Sequence, residues 1–381
     1  MKTTAVICEY NPFHRGHEYQ INAIKEGGSN VVCIMSGGFV QRGGPALFDK
    51  FVRAEAAVRM GADLVVELPF PYCSSAAEFF AKGGVALADS LGLIDELCFG
   101  SESGDIIQLE TAVSNITSPR LAEEMKKARA DKNNKDKSFA VLRQEAYGAL
   151  FGDGFPLLPN DILGVEYIKA LNELKSSILP VTYKREKGWS ATGARIGITE
   201  GDDYSYIPDS VAPLFKNSPR YYLKNIESAL LAFYRTADPR MLKRYESMTD
   251  GIAERMVRLA NSSASLDEMT CGLAGKSYTN AKIRRCMIHG MVGVTPDMLN
   301  GRPAYTQVLA CGRGGRELMR HISKNRDIPV LTKPSHYKKL DGKAREQAEI
   351  SIKADRLLTL MCEKALPADA FLKKSPFIAD K

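Results

Sequence analysis

A chain of 381 residues, 44% hydrophobic and 25% charged, has the make-up of a globular protein and is long enough for two domains. It has no run of 18 apolar residues, and its start at Met1-Lys2-Thr3-Thr4 carries no leader pattern, so a helical membrane protein is excluded and a soluble, cytoplasmic one is expected. The net charge of +7 is uneven: residues 1–100 carry 8 Lys/Arg against 11 Asp/Glu, while residues 276–340 carry 13 against 3, which suits a polyanionic partner for the back half.

The eight cysteines are scattered without a Cys-x-x-Cys pair, so neither a disulfide framework nor a zinc knuckle is expected, only reduced and mostly buried thiols. In chain order, β-rich apolar runs at 4–8, 30–35, 63–68 and 96–100 alternate with helical patterns at 16–26, 48–60 and 74–91. This alternation predicts an α/β fold with a parallel sheet covered by helices. Residues 104–150 break the rhythm and read as a helical insertion. A helix from about 161 to 174, with Asn160 placed to cap or precede it, and a strand at 178–183 return to the sheet. From about 206 to 381 the pattern is mainly helical, apart from a strand at 328–331, and a second domain is expected there with its first boundary near 205.

The richest stretch for chemistry is Glu9-Tyr10-Asn11-Pro12-Phe13-His14-Arg15-Gly16-His17, between the first strand and the first helix. Ligands of open α/β sheets sit beyond the carboxyl ends of strands, where a helix N-terminus offers free N–H groups and the positive end of its dipole. Gly16 permits close backbone approach. His14 and His17, three apart, project to one side and can donate hydrogen bonds to phosphate oxygens as a nucleotide's α–β bond breaks. A metal site is the weaker rival, because no third ligand is near, and no protein-held metal is expected.

The His-x-Gly-His pattern resembles that of the nucleotidyltransferase superfamily. With Ser36-Gly37-Gly38-Phe39-Val40-Gln41-Arg42-Gly43, Phe48-Asp49-Lys50, Asp63 to Pro69, Phe99-Gly100-Ser101-Glu102, Pro159 to Leu163, Ser190 to Arg195 and Tyr278 to Arg285, the chain resembles the bacterial tRNA(Met) cytidine acetate ligase family over nearly its whole length. The resemblance implies a Rossmann-like nucleotidyltransferase sheet domain followed by a mainly helical RNA-binding one. It also implies a two-step reaction in which ATP and acetate give acetyl-adenylate, and the acetyl group passes to the wobble cytidine of elongator methionine tRNA. Mg²⁺ is expected with the ATP. A small-molecule adenylyltransferase without an RNA substrate is the alternative, and no residue pattern sets an oligomeric state.

Carried onto this chain, the resemblance implies His14 and His17 as catalytic and an ATP site of Ile7, Cys8, Glu9, Tyr10, Asn11, Pro12, Phe13, His14, Arg15, Gly16, His17, Glu18, Tyr19 and Gln20, joined by Gly100, Asn160 and Arg185. Gly100 offers bare backbone to adenine or ribose, Asn160 carries a donor and an acceptor, and Arg185 can hold a phosphate. Ser190, Thr192 and Arg195 resemble a second phosphate-binding motif, although the connection Glu186-Lys187-Gly188-Trp189 is shorter than the family's Gly-rich segment. Phe39, Gln41 and Arg42 sit in a Gly-rich loop suited to a base or RNA backbone, and Asp49 and Lys50 are candidates for orienting the attacking amine. For tRNA, the candidates are Arg42, Lys276, Tyr278, Lys282, Arg284, Arg285, Arg313 and Arg316, with Tyr305 and Arg320 beside them and Gly312, Gly314 and Gly315 suggesting a basic loop. His289 and His321 read as structural.

Overall fold

Apolar runs buried on both faces require helices on both sides of a sheet, and this chain supplies them in alternation. In the computed structural model, which describes residues 2–131, 134, 137, 139–152, 158–185, 188–248, 251–275 and 278–379, β1 (Thr3–Cys8) leads to α1 (Arg15–Glu26) and β2 (Asn30–Ser36) to α2 (Lys50–Arg59). β3 (Leu64–Leu68) leads to α3 (Ala77–Ser90), and β4 (Glu96–Ser101) to a helical trio, α4 (Ile106–Ile116), α5 (Pro119–Ala130) and α6 (Phe139–Phe151). The trio has a small core of its own around Leu121, Met125, Leu142 and Tyr147. α7 (Pro159–Leu174), β5 (Leu179–Lys184) and α8 (Ala191–Gly201) return to the sheet.

Helices then dominate: α9 (Ala212–Lys216), α10 (Glu227–Thr236), α11 (Pro239–Leu242), α12 (Ile252–Ser262), α13 (Leu266–Leu273) and α14 (Asn280–Val292). They are followed by β6 (Thr306–Cys311), α15 (Gly315–Asn325), β7 (Val330–Leu331), α16 (Gly342–Met361) and β8 (Phe377–Ile378).

The sheet order is β5-β4-β1-β2-β3-β6-β7, with β8 also on β6. β5, β4, β1, β2 and β3 run parallel, so their carboxyl ends share one edge. β6 runs antiparallel to β3, Cys311 lying beside Leu64, and all six of its residues are buried. The sequence reading of residues past 205 as mainly helical missed this strand, and the sheet therefore continues across that position. β5 is the edge strand, which is where Pro180, lacking a ladder donor, is tolerated. Among the described residues, no helix is long and apolar enough to cross a membrane.

Candidate functional site

The turn out of β1 is held from all sides. Tyr10 takes a left-handed φ of 46°, with its hydroxyl 3.3 Å from Cys33 Sγ. Leu47 N donates to Asn11 Oδ1 at 2.7 Å, and Phe13 is buried against Tyr10 with ring centroids 4.9 Å apart. Ile7 and Cys8 are buried in β1, and Gln20 Nε2 ties α1 to β4 by donating to the Cys98 carbonyl at 3.3 Å.

His14 is the N-cap of α1, in a capping box built from imidazoles where Ser and Glu are usual. Gly16 N donates to His14 Nδ1 at 3.1 Å, and His14 N donates to His17 Nδ1 at 3.2 Å. The rings stack 3.7 Å apart with 22° between planes. Each Nδ1 accepts a backbone proton, so each neutral ring carries its own proton on Nε2. A Cβ on Gly16 would lie 3.0 Å from His14 Cε1 and 3.3 Å from Trp189 Cβ, so a larger residue there would press on the stacked rings.

Burial, then the charges of Arg185 and Arg195, lower the His14 pKa from 6.5 to about 4. Burial, then His14 and Arg185, lower that of His17 as well. Near neutral pH the pair is therefore two uncharged N–H donors. Between the folded value near 4 and the ordinary 6.5, the unfolded chain binds the proton and the folded one does not, so stability falls as pH drops through this window. Urea unfolding at pH 7.5 and 5 should show a larger acid loss for the natural protein than for His14→Asn, which retains a capping oxygen. Equal losses would contradict the lowered value.

Arg185 and Arg195 supply the positive charge around this pair. Arg185 donates from Nη1 to Asn160 Oδ1 at 2.6 Å. Asn160 donates from Nδ2 to Glu102 Oε1 at 2.5 Å, while Glu102 also accepts from Asp161 N. Asn160 is thus inside the first turn of α7, whose N-cap is Leu158, and it does not cap that helix. A Cβ on Gly100 would come within 2.8 Å of Arg185 Cγ and 2.9 Å of the Tyr183 hydroxyl. The room that Gly100 leaves on that side is taken by these side chains. Ser190 caps α8 by accepting from Gly193 N at 3.0 Å. Arg195 donates to Thr192 Oγ1 at 3.1 Å and to the Asn11 carbonyl at 2.7 Å, which pins the second motif to the first loop. Arg15 turns away from the imidazoles to the Ser205 carbonyl and Asp209, Glu18 is half-buried, and Tyr19 is exposed. Glu186 and Lys187 lie outside the described residues.

Sequence reading missed Arg53, the residue that holds the two loops of the carboxyl edge together. It is fully buried, and its guanidinium donates to the carbonyls of Glu9, Ser36, Gly37 and Phe48. Its signal in the sequence was a charge on the apolar stripe of α2, beside Ala54 and Ala57. Glu9 accepts from Gln41 N at 2.8 Å, and burial raises its pKa against the pull of that hydrogen bond and of Arg195, Arg53 and Arg42.

Asp49 and Lys50, candidates for orienting an amine, are both buried and engaged within the protein. Asp49 caps α2 by accepting from Phe51 N and Val52 N, and it pairs with Lys374 at 2.7 Å. Lys50 is 2% exposed and bound to Glu67 at 2.8 and 2.9 Å and to Asp355 at 2.9 Å.

The basic residues divide between two edges of the sheet. Lys282, Arg284 and Arg285 lie on α14, with Lys282 Nζ 4.8 Å from the Tyr278 ring centroid. Arg285 is turned inward, donating to the Gln41 carbonyl at 2.9 Å, and its backbone packs on Gly43, where a Cβ would sit 2.4 Å from Arg285 N. Arg42 and Arg284 are exposed beside this contact. Arg313, Arg316 and Arg320 lie elsewhere. Because β6 is antiparallel, the turn after Cys311 emerges at the amino end of β3, the length of a strand or roughly 13 Å from the carboxyl edge. The glycines there form a tight turn onto Asp63 and the start of α15, not an extended basic loop. Tyr305 and His289 are buried and offer no surface for RNA, and burial lowers the His289 pKa to about 3, whereas His321 is exposed on α15. Lys276 lies outside the described residues.

The arrangement has the chemistry to hold an anion: two neutral imidazole donors and two guanidinium groups at a helix N-terminus. Among the described residues, no cluster of His, Cys, Asp or Glu is placed to hold a metal ion.

Known proteins with this architecture are extensive relatives. The family described as HIGH Nucleotidyl Transferase matches over residues 1–370. A tRNA(Met) cytidine acetate ligase of Clostridium tetani is 33% identical, over 98% of this chain and 99% of the relative. One from Caldanaerobacter subterraneus subsp. tengcongensis is 34% identical, over 89% and 90%. The crystal structure of Thermotoga maritima TmcAL bound with α-thio ATP superposes with a TM-score of 0.92 at 28% identity, covering 99% of both chains, and the apo form does so at 0.90 and 27%.

Proposed function

Since this chain belongs to the tRNA(Met) cytidine acetate ligases, within the HIGH nucleotidyl transferases, we propose that it joins ATP and acetate into acetyl-adenylate and acetylates the wobble cytidine of elongator methionine tRNA. An acetate oxygen attacks the α-phosphorus and pyrophosphate leaves. The cytidine N4 then attacks the acetyl carbonyl, AMP leaves, and the amine gives up a proton. Adenylation is needed because a bare carboxylate has no leaving group better than oxide.

The observation that carries this reading is the stacked pair His14 and His17, with both Nδ1 atoms taken by backbone N–H groups. Their Nε2–H donors, with Arg185 and Arg195, would stabilise charge on the α-phosphate and the leaving pyrophosphate. Asn160 would orient Arg185, and Ser190 and Thr192 would complete the phosphate contacts through the N-terminus of α8. Gly100 would offer its bare backbone to adenine or ribose while leaving room for Arg185. Any Mg²⁺ would be held by the nucleotide's own phosphates and water, since among the described residues no cluster of His, Cys, Asp or Glu is placed to hold a metal ion.

The exposed or half-buried Arg42, Tyr278, Lys282 and Arg284 would form the RNA face at the carboxyl edge. Arg313 and Arg316, on the opposite edge, could meet only a different part of the same tRNA. In this reading the residues after 205 supply the RNA-binding part, and a tRNA substrate fits a cytoplasmic protein.

Incubating the protein with labelled acetate, ATP and unfractionated tRNA should put label into RNA and release AMP in step. AMP attached to a small metabolite, with no RNA label, would instead mark a small-molecule adenylyltransferase.

A further inference from the structure

The Gly-rich loop after β2 is pinned along its backbone. Gln41 N donates to Glu9 at 2.8 Å, and the Gln41 carbonyl accepts from Arg285 at 2.9 Å. Gly43 N donates to the Val40 carbonyl at 2.8 Å, Val40 N donates to that of Gly44 at 3.1 Å, and Phe39 bridges to Pro45. Within this fixed frame the Gln41 side-chain amide nitrogen is buried and has no hydrogen-bond partner. A buried amide donor left unsatisfied destabilises the free protein, and a partner that arrives with a ligand would relieve that cost.

Its location narrows the ligand. Through its own backbone, Gln41 joins Glu9, at the start of the nucleotide loop, to Arg285 on the basic helix α14. It therefore stands between the phosphate-binding turn and the RNA face. We propose that the Gln41 carboxamide binds the base that receives the acyl group, its N–H donating to the acceptor edge of the cytosine ring at O2 or N3. That edge matches the orphaned donor, and holding it would leave the exocyclic amine free to face the adenylate. The assignment rests on the ligase reading and adds to it a residue that reads the acceptor.

Two variants test it. Gln41→Met fills similar space without the donor, and Gln41→Glu sets a carboxylate against the base's acceptor edge. Because no protein hydrogen bond is lost, Gln41→Met should melt no lower than the natural protein. Its kcat/KM for tRNA acetylation should fall about tenfold more than its acetate-dependent ATP–pyrophosphate exchange, the size expected for one lost neutral hydrogen bond. Gln41→Glu should fall further. Exchange and acetylation falling together, or neither falling, would overturn the assignment. Labelled RNA from the natural protein with Gln41→Met unaffected would sink the Gln41 role alone, whereas no labelled RNA from the natural protein would sink the ligase reading and this one with it.

Discussion

His17→Ala should lose about 100- to 1,000-fold of acetate-dependent ATP–pyrophosphate exchange while remaining folded, the loss typical for removing one preorganised donor from a developing oxyanion. The ring does two separable things. Its Nδ1 accepts from His14 N and closes the imidazole capping box, while its Nε2–H takes no part in the cap and is the proposed donor to a phosphate. Loss of the cap alone costs about 1 kcal/mol, which a protein of this size tolerates. Loss of the Nε2 donor acts only once charge moves onto the phosphates, so it should appear in the exchange rate and not in the melting temperature. His17→Asn, with a shorter side chain that can still accept at the cap, should recover stability without recovering rate. A folded His17→Ala protein that exchanges within threefold of the natural one would remove the imidazole pair from the mechanism.

Lys50→Met should be the most destabilising single change near the site, by about 3–5 kcal/mol, the usual consequence of stripping one partner from a buried ion cluster. Lys50 is the cation shared by Glu67 and Asp355, and without it two carboxylates face each other away from water. Even with Lys50 present, burial holds the Glu67 carboxyl above its ordinary 4.5. In the variant that pKa should rise further. A carboxyl whose folded pKa lies above its unfolded one loses stability as pH rises through the folded value, so the deficit of Lys50→Met should shrink on acidification. Urea unfolding at pH 7.5 and 5.5 reads this directly. Adding Glu67→Gln and Asp355→Asn should return part of the loss, because neutral amides remove the uncompensated charge. A deficit unchanged or larger at pH 5.5 would show that the cluster does not carry the effect.

The same cluster illustrates what a sequence hides. Lys50 read as a candidate for substrate chemistry because it follows a Gly-rich loop, yet its partners lie 17 and 305 residues away and only folding brings them together. Arg53 was more legible, as a charge on the apolar stripe of a helix, but its four carbonyl partners could not be named from spacing. The first four strands were plain because each is an apolar run between turn residues, and the imidazole turn was plain because two of five histidines share it. β6 was lost among helices: Thr306-Gln307-Val308-Leu309-Ala310-Cys311 is short, mixed in propensity and recognisable only by its pairing with β3. That omission had a functional cost. The direction of β6 decides which edge Arg313 and Arg316 occupy, so counting charge along the chain merged two surfaces that the antiparallel strand keeps apart.

Nitrogen-15 NMR of the imidazole rings, with and without a non-hydrolysable ATP analogue, tests the central claim most directly. In the free protein both rings should be neutral, with protonated Nε2 and bare Nδ1 from pH 8 down to about 5, and the analogue should shift both Nε2 resonances as they bind phosphate oxygens. Protonated Nδ1 atoms, or Nε2 signals indifferent to the nucleotide, would contradict it.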